Sequence, residues 1–173
     1  MSTSLYDLTV ASYLQIGGAL ADVLDRAAEH FTAAGVDLEE IAAARLVEDM
    51  AQFRFQVYCV AHHSLEAVRA FSSGEFGPPQ GYETLSYGDL QRTLREALAE
   101  LGAMERSAVD ACAGGNVTFR LGEMAIPFTT ENFALCFSLP NFYFHATTAY
   151  DILRARGVPI GKRDFLGQMR VGV

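Results

Sequence analysis

The sequence predicts an all-α fold: a four-helix bundle with one small β-hairpin before the last helix. Three observations carry this. Four segments repeat apolar residues at helical spacing, their ends carry capping residues or glycines, and the stretch between Val117 and Phe128 switches to period two. No internal repeat, linker or low-complexity segment divides the chain, so residues 1–173 read as one domain.

Ser4, three residues before Asp7, opens a helix predicted to run to about Ala34 and to stop at Gly35. Gly17 and Gly18 lie inside it, each costing about 1 kcal/mol relative to Ala, and close packing of another helix is the commoner reason for such a pair. Asp37 with Glu40 repeats the capping pattern. A second helix follows, with Leu46, Met50, Phe53, Val57, Val60, Ser64, Val68 and Phe71 on one stripe up to the Ser-Ser-Gly at 72–74. Gly77 to Gly81 is a loop, and Ser86 with Asp89 caps a third helix whose stripe is Leu90, Leu94, Leu98, Leu101 and Met104, ending before Gly114 and Gly115. Gly122 and Glu123 turn the hairpin, and Pro127 marks an edge position. The fourth helix runs from Thr129 to Arg156 and Gly157, kinked or broken near residue 139 by Pro140, and Val158 to Val173 form a short coil. Within it, Lys162, Arg163 and Asp164 dock the tail to the body.

The chain carries 13 Lys plus Arg against 21 Asp plus Glu, a net charge of -8, and half its residues are apolar. An acidic surface of this kind repels nucleic acid and anionic membranes, so neither is an expected partner. The N-terminus has no basic and apolar leader, and no stretch reaches about 18 uninterrupted apolar residues, so the expected location is cytoplasmic. Cys59, Cys112 and Cys136 are far apart and in no C-x-x-C arrangement, which predicts neither a disulfide framework nor a thiolate zinc site. The zinc-protease, P-loop, dinucleotide and serine-hydrolase motifs are missing from the sequence.

Candidate chemistry therefore rests on few residues. At about 100° per residue, His63 falls roughly 100° from the centre of the second helix's apolar stripe, a boundary position, while His62 points the opposite way, toward solvent or a partner subunit. Asp49, about 60° off the stripe, faces inward on the same count. Asn141 and His145 are i, i+4 neighbours on the fourth helix and address one ligand together. His63, Asn141, His145 and Asp49 are thus the donors available to a metal in the bundle core. Each also has a structural reading: a hydrogen-bonded core histidine, an Asn satisfying backbone freed by Pro140, a helix-start or surface carboxylate. Phe133, Phe137, Phe142, Tyr143, Phe144 and Tyr150 cover more than one face of the fourth helix, which predicts burial nearly all round and a homodimer to supply it.

The run Leu139-Pro-Asn-Phe-Tyr-Phe-His145-Ala-Thr-Thr-Ala-Tyr-Asp-Ile-Leu-Arg154, continued by Gly157-Val-Pro-Ile-Gly-Lys-Arg-Asp-Phe-Leu-Gly167, resembles the signature of an uncharacterised family of DinB-like proteins, and Arg45-Leu-Val-Glu-Asp-Met50 agrees with it. That family is a domain of unknown function within the DinB/YfiT-like superfamily of metal-dependent enzymes. The resemblance implies an up-down-down-up four-helix bundle, a homodimer, and a divalent metal, nickel or zinc, held by one His on the second helix and an H-x-x-x-H pair on the last. Laid on the superfamily's L-R-x-x-G ending through Leu153, Arg154 and Gly157, His145 matches the second His and Asn141 stands in place of the first. Characterised members transfer or isomerise with low-molecular-weight thiols. A metal-dependent enzyme of that kind with an altered ligand set is one expectation; the other is a non-catalytic homodimeric bundle that binds a small apolar ligand or a protein partner.

Overall fold

Four helical rods close a ring in the computed structural model, which describes residues 3–172; Met1, Ser2 and Val173, included in the leader and tail readings, lie outside the described residues. Helix α2 (Val10–Ala33) packs on α6 (Tyr87–Gly102), α6 on α4 (Phe53–Ala61), α4 on α9 (Leu139–Ala155), and α9 back on α2. One apolar cluster fills the ring, with Tyr13, Phe53, Tyr87, Phe133 and Phe142 its largest fully buried side chains. Among the described residues no helix is long and apolar enough to cross a membrane.

The expected first helix is two. A four-residue α1 (Leu5–Leu8), capped by Ser4, is separated from α2 by Thr9 at φ -104° and ψ -80°. Thr9 Oγ1 donates to the Leu5 carbonyl at 2.7 Å, so the side chain takes over a backbone acceptor at the break. Gly17 behaves as expected: a Cβ there would stand 2.7 Å from Leu98 Cδ2 of α6, whereas one on Gly18 would meet nothing within 4 Å.

The second helix departs further from its sequence pattern. Asp37 caps only the short α3 (Leu38–Ala42), and the chain then turns irregularly until Phe53, whose N–H donates to the Ala44 carbonyl at 2.7 Å. Residues 45–49 of this turn are exposed. Leu46, placed by arithmetic on the buried stripe, is 40% exposed, and Asp49 lies on the surface rather than on a helix. From Phe53 the helix is real but changes character: α4 gives way to a π-helical turn, π1 (His62–Glu66), before α5 (Ala67–Ser73) ends at Gly74 with φ 77°. His63 lies in the core rather than at its boundary because this helix is buried on more than one face: Gln56 and Cys59, both off the predicted stripe and both in regular α4, are as fully buried as Val57.

α6 begins on a complete capping box, Ser86 Oγ accepting from Asp89 N–H and Asp89 from Ser86 N–H, and ends earlier than expected, before a separate α7 (Arg106–Asp110). The hairpin forms as β2 (Asn116–Leu121) and β3 (Met124–Thr129), but β2 also pairs in parallel with a two-residue β1 (Glu75–Phe76). The fold is therefore mostly helical with a three-stranded sheet, not strictly all-α. In the order β1-β2-β3, Pro127 sits on edge strand β3, where its missing N–H costs no ladder bond.

After a single turn, α8 (Thr130–Asn132), the last helix widens into π2 (Phe133–Ser138) and regains α geometry as α9, with Pro140 in its first turn. The disruption expected near residue 139 is this π turn, a place where the missing donor of Pro140 is absorbed. The last helix is not buried all round in the chain: Leu135, Tyr143 and Phe144 are exposed. The tail is not all coil either. α10 (Lys162–Leu166) packs on α2, held by an Asp164–Arg26 ion pair at 2.5 Å and by Gln15 Nε2 donating to the Leu166 carbonyl at 3.0 Å.

Candidate metal centre

Where α4 enters π1 and crosses α9, three potential ligands converge. One donor atom each from Cys59, His63 and His145 lie within 4.8 Å of one another, and all three residues are buried, at 0%, 5% and 7% exposure. Cys59 and His63 are i, i+4 neighbours and so share a helix face. The rings of His63 and His145 stack at 5.6 Å between centroids and 14° between planes. Phe55 stands edge-on to His145 at 5.5 Å, while Phe76 and Phe137 flank His63 at 5.6 and 5.8 Å. Aromatic walls exclude water from the donors.

Two hydrogen-bond chains hold this geometry. Ser138 Oγ, at the end of π2, donates to the His63 carbonyl in π1 at 2.6 Å; its one proton being spent there, it accepts from Tyr13 Oη, also at 2.6 Å. Both π turns are thereby tied to each other and to α2. The second chain runs through Gln56, which is 1% exposed: its Nε2 donates to the Ala51 carbonyl at 3.0 Å and its Oε1 lies 2.7 Å from His145 Nδ1.

Burial sets the protonation states. It pushes the His63 imidazole down to about 3, with His62 and His145 adding repulsion, and the His145 imidazole down to about 4, with repulsion from His62. Both rings are neutral at neutral pH and keep a lone pair for a ligand. Burial pushes the Cys59 thiol up to about 12, so it gives up its proton only to a strong Lewis acid. His63 Nδ1 is buried with no hydrogen-bond partner, a state that costs about 1–3 kcal/mol unless another group completes it.

A tetrahedral zinc with Zn–S near 2.3 Å and Zn–N near 2.0–2.1 Å needs donors about 3.4–3.6 Å apart. The three observed donors, within 4.8 Å, reach that spacing by side-chain shifts of about 1 Å. One thiol and two neutral imidazoles are a set that suits zinc and related borderline metals, so the residues fit the group. The carboxamide on His145 is the outer support that metal-bound histidines commonly have.

Of the residues expected from sequence, the structure brings His63 and His145 together. Asp49 lies in the exposed turn before α4 and is not in the donor group. Asn141 is half-buried, and its Nδ2 donates to the Phe137 carbonyl at 2.8 Å, so its amide is turned back onto the π2 backbone ahead of Pro140. His62 is half-buried at the surface: its Nε2 donates to the Gly77 carbonyl at 2.9 Å and its ring packs between Tyr58 and Phe76. Sequence reasoning missed Cys59 and Gln56. The search for C-x-x-C excluded Cys59, although the Cys59-x-x-x-His63 spacing places the pair on one face. Gln56 carries no sequence signal.

A surface pocket of about 300 Å³ is lined by Arg45, Ala51, Gln52, Phe55, Tyr82 and Glu83, and Phe55 also packs edge-on against His145. A larger groove of about 680 Å³ between α2 and the C-terminal tail contains none of the three donors.

A family model described as "Domain of unknown function (DUF1993)" matches residues 5–166. The chain belongs to the DUF1993 family. Among solved structures, a crystal structure of a DinB family member protein from Shewanella denitrificans is similar to this DUF1993 chain, with 26% identity, a TM-score of 0.80, and 98% of this chain and 95% of that one covered. No curated protein matches the DUF1993 chain. The signature around Asn141 and His145 thus pointed to the right family.

Proposed function

We propose that this DUF1993 chain is a metal-dependent protein of the DinB-like kind, in which Cys59, His63 and His145 hold a divalent ion of the zinc or nickel type. The observation that carries the reading is the convergence of those three buried donors, one of them with an unpartnered ring nitrogen. A bound ion supplies a Lewis acid that lowers the pKa of a coordinated thiol or water, which accords with the transferase or isomerase chemistry on small thiols that the DinB-like resemblance implies. The protein's own contribution is orientation and dryness: Gln56 and Ser138 fix His145 and the His63 backbone, and Phe55, Phe76 and Phe137 exclude water. On this reading the pocket beside Phe55, lined also by Tyr82 and Gln52, is the side from which a substrate approaches. Asn141 and Asp49 are not ligands on this reading.

The test is elemental analysis of protein purified without a polyhistidine tag. One equivalent of metal per chain, lost in His145→Gln and Cys59→Ser, supports the reading; metal-free wild type that takes up neither zinc nor nickel refutes it.

A second reading is favoured by the surface. Leu135, Tyr143 and Phe144 leave an apolar strip on the last helix, as a non-catalytic homodimeric bundle would. A dimer that remains fully folded and metal-free supports this alternative.

A further inference from the structure

Gln56 sits in the first turns of α4 with both ends of its carboxamide engaged. A carbonyl oxygen only accepts, so the 3.0 Å contact to Ala51 O identifies Nε2 and turns Oε1 toward His145. Oε1 likewise only accepts, so the 2.7 Å contact requires a proton on His145 Nδ1. A neutral imidazole carries one N–H, which leaves the lone pair on Nε2. The constraint originates outside the helix, in the backbone of the irregular turn that precedes α4 and that the helical pattern failed to predict.

We propose that Gln56 is a positioning residue: held by the Ala51 carbonyl, it fixes His145 as the Nδ1–H tautomer and so presents Nε2 as the ligating atom. The tautomer stands on this structure alone, and only its use in ligation rests on the metal-centre reading. Without the amide, the Nδ1–H loses its partner in a buried site and the ring is free to carry its proton on Nε2, which blocks that nitrogen as a ligand. An acceptor of similar reach keeps the tautomer, since a neutral Glu side chain accepts from Nδ1–H through one oxygen and donates its own proton to the Ala51 carbonyl through the other.

The test uses two-bond proton–nitrogen correlation spectra of the imidazoles in metal-free, nitrogen-labelled protein, with the His145 signals assigned by their loss in His145→Gln. The expected pattern is Nδ1–H in wild type and in Gln56→Glu, and a mixed or Nε2–H pattern in Gln56→Met. Zinc titration of the same proteins adds a second readout, with Gln56→Met weakening affinity by about tenfold to a hundredfold at unchanged stoichiometry. Wild-type His145 found as Nε2–H overturns the proposal even if no variant folds, and so does an Nδ1–H pattern that survives Gln56→Met. Wild type that shows Nδ1–H but binds no zinc refutes the metal centre while leaving the tautomer assignment standing. Zinc binding unaffected by Gln56→Met overturns the positioning role alone.

Discussion

His63 and His145 stack with their planes 14° apart, though one lies in the π turn after α4 and the other in the middle of the last helix. Two imidazoles brought together in a dry site cannot both be charged, and the consequences of that arrangement are measurable.

The first consequence is pH-dependent stability of the metal-free protein. Both folded-state values, about 3 and about 4, lie below the ordinary histidine value of 6.5, so between pH 6.5 and 4 the unfolded chain binds protons that the folded chain does not. Stability from these groups is complete above pH 6.5 and falls with pH, by up to about 1.4 kcal/mol per pH unit for each histidine. His62, also lowered by burial, acts in the same direction. Urea midpoints measured between pH 6.5 and 5 follow the effect. The slope flattens in a His63→Gln, His145→Gln double variant; equal slopes in both proteins contradict the assignment.

Metal binding shifts the burden to the thiol. With both rings neutral and Cys59 held up to about 12, binding at pH 7 releases about one proton per ion, and affinity falls about tenfold for each pH unit lost. Calorimetry in buffers of different ionisation enthalpy counts the protons directly; a count near zero removes Cys59 from the ligand set.

Asn141 gives a contrasting expectation. Its amide serves the Phe137 carbonyl, so Asn141→Ala lowers stability by about 0.5–1.5 kcal/mol and leaves metal content unchanged. Metal loss in this variant would restore Asn141 to the centre.

Gly17 and Gly18 separate packing from propensity. A Cβ at Gly18 meets open space, so Gly18→Ala gains up to about 1 kcal/mol of helix propensity and raises the melting temperature by about 2–4 °C. At Gly17 the same gain is offset because Leu98 must move aside. Scanning calorimetry that finds Gly17→Ala the more stable of the two contradicts the close approach of α2 and α6.

Assembly is tested through Phe144, 55% exposed on the last helix. A homodimer that covers this strip dissociates in Phe144→Glu, giving the 18.8 kDa monomer by sedimentation equilibrium. Wild type already monomeric at micromolar concentration contradicts the dimer.

The bundle was legible because Phe53, Val57, Leu90, Leu94 and Ile152 keep helical spacing and because Ser86, Gly35 and Gly74 mark the ends. What periodicity could not show is where it stops applying. Thr9 breaks a helix with no glycine or proline, residues 43–52 leave a pattern that Leu46 and Met50 continue by count, and two π turns reset the phase around His63 and Ser138. The site suffered in proportion. His145, on regular α9, is buried; His63, read as a boundary residue, is buried too because α4 packs on more than one face; Asp49 fell in the irregular turn. Cys59 and Gln56 act through tertiary contacts that have no local spacing rule beyond Cys59's turn-apart relation to His63.

Cobalt(II) titration of the metal-free protein reads the Cys59–His63–His145 centre directly, because tetrahedral cobalt reports its ligands in its absorption spectrum. The expected result is one cobalt per chain, with a thiolate-to-metal charge-transfer band that disappears in Cys59→Ser and no binding in His145→Gln. A spectrum of hexaaqua cobalt throughout the wild-type titration, unchanged by any amount of protein, would contradict it.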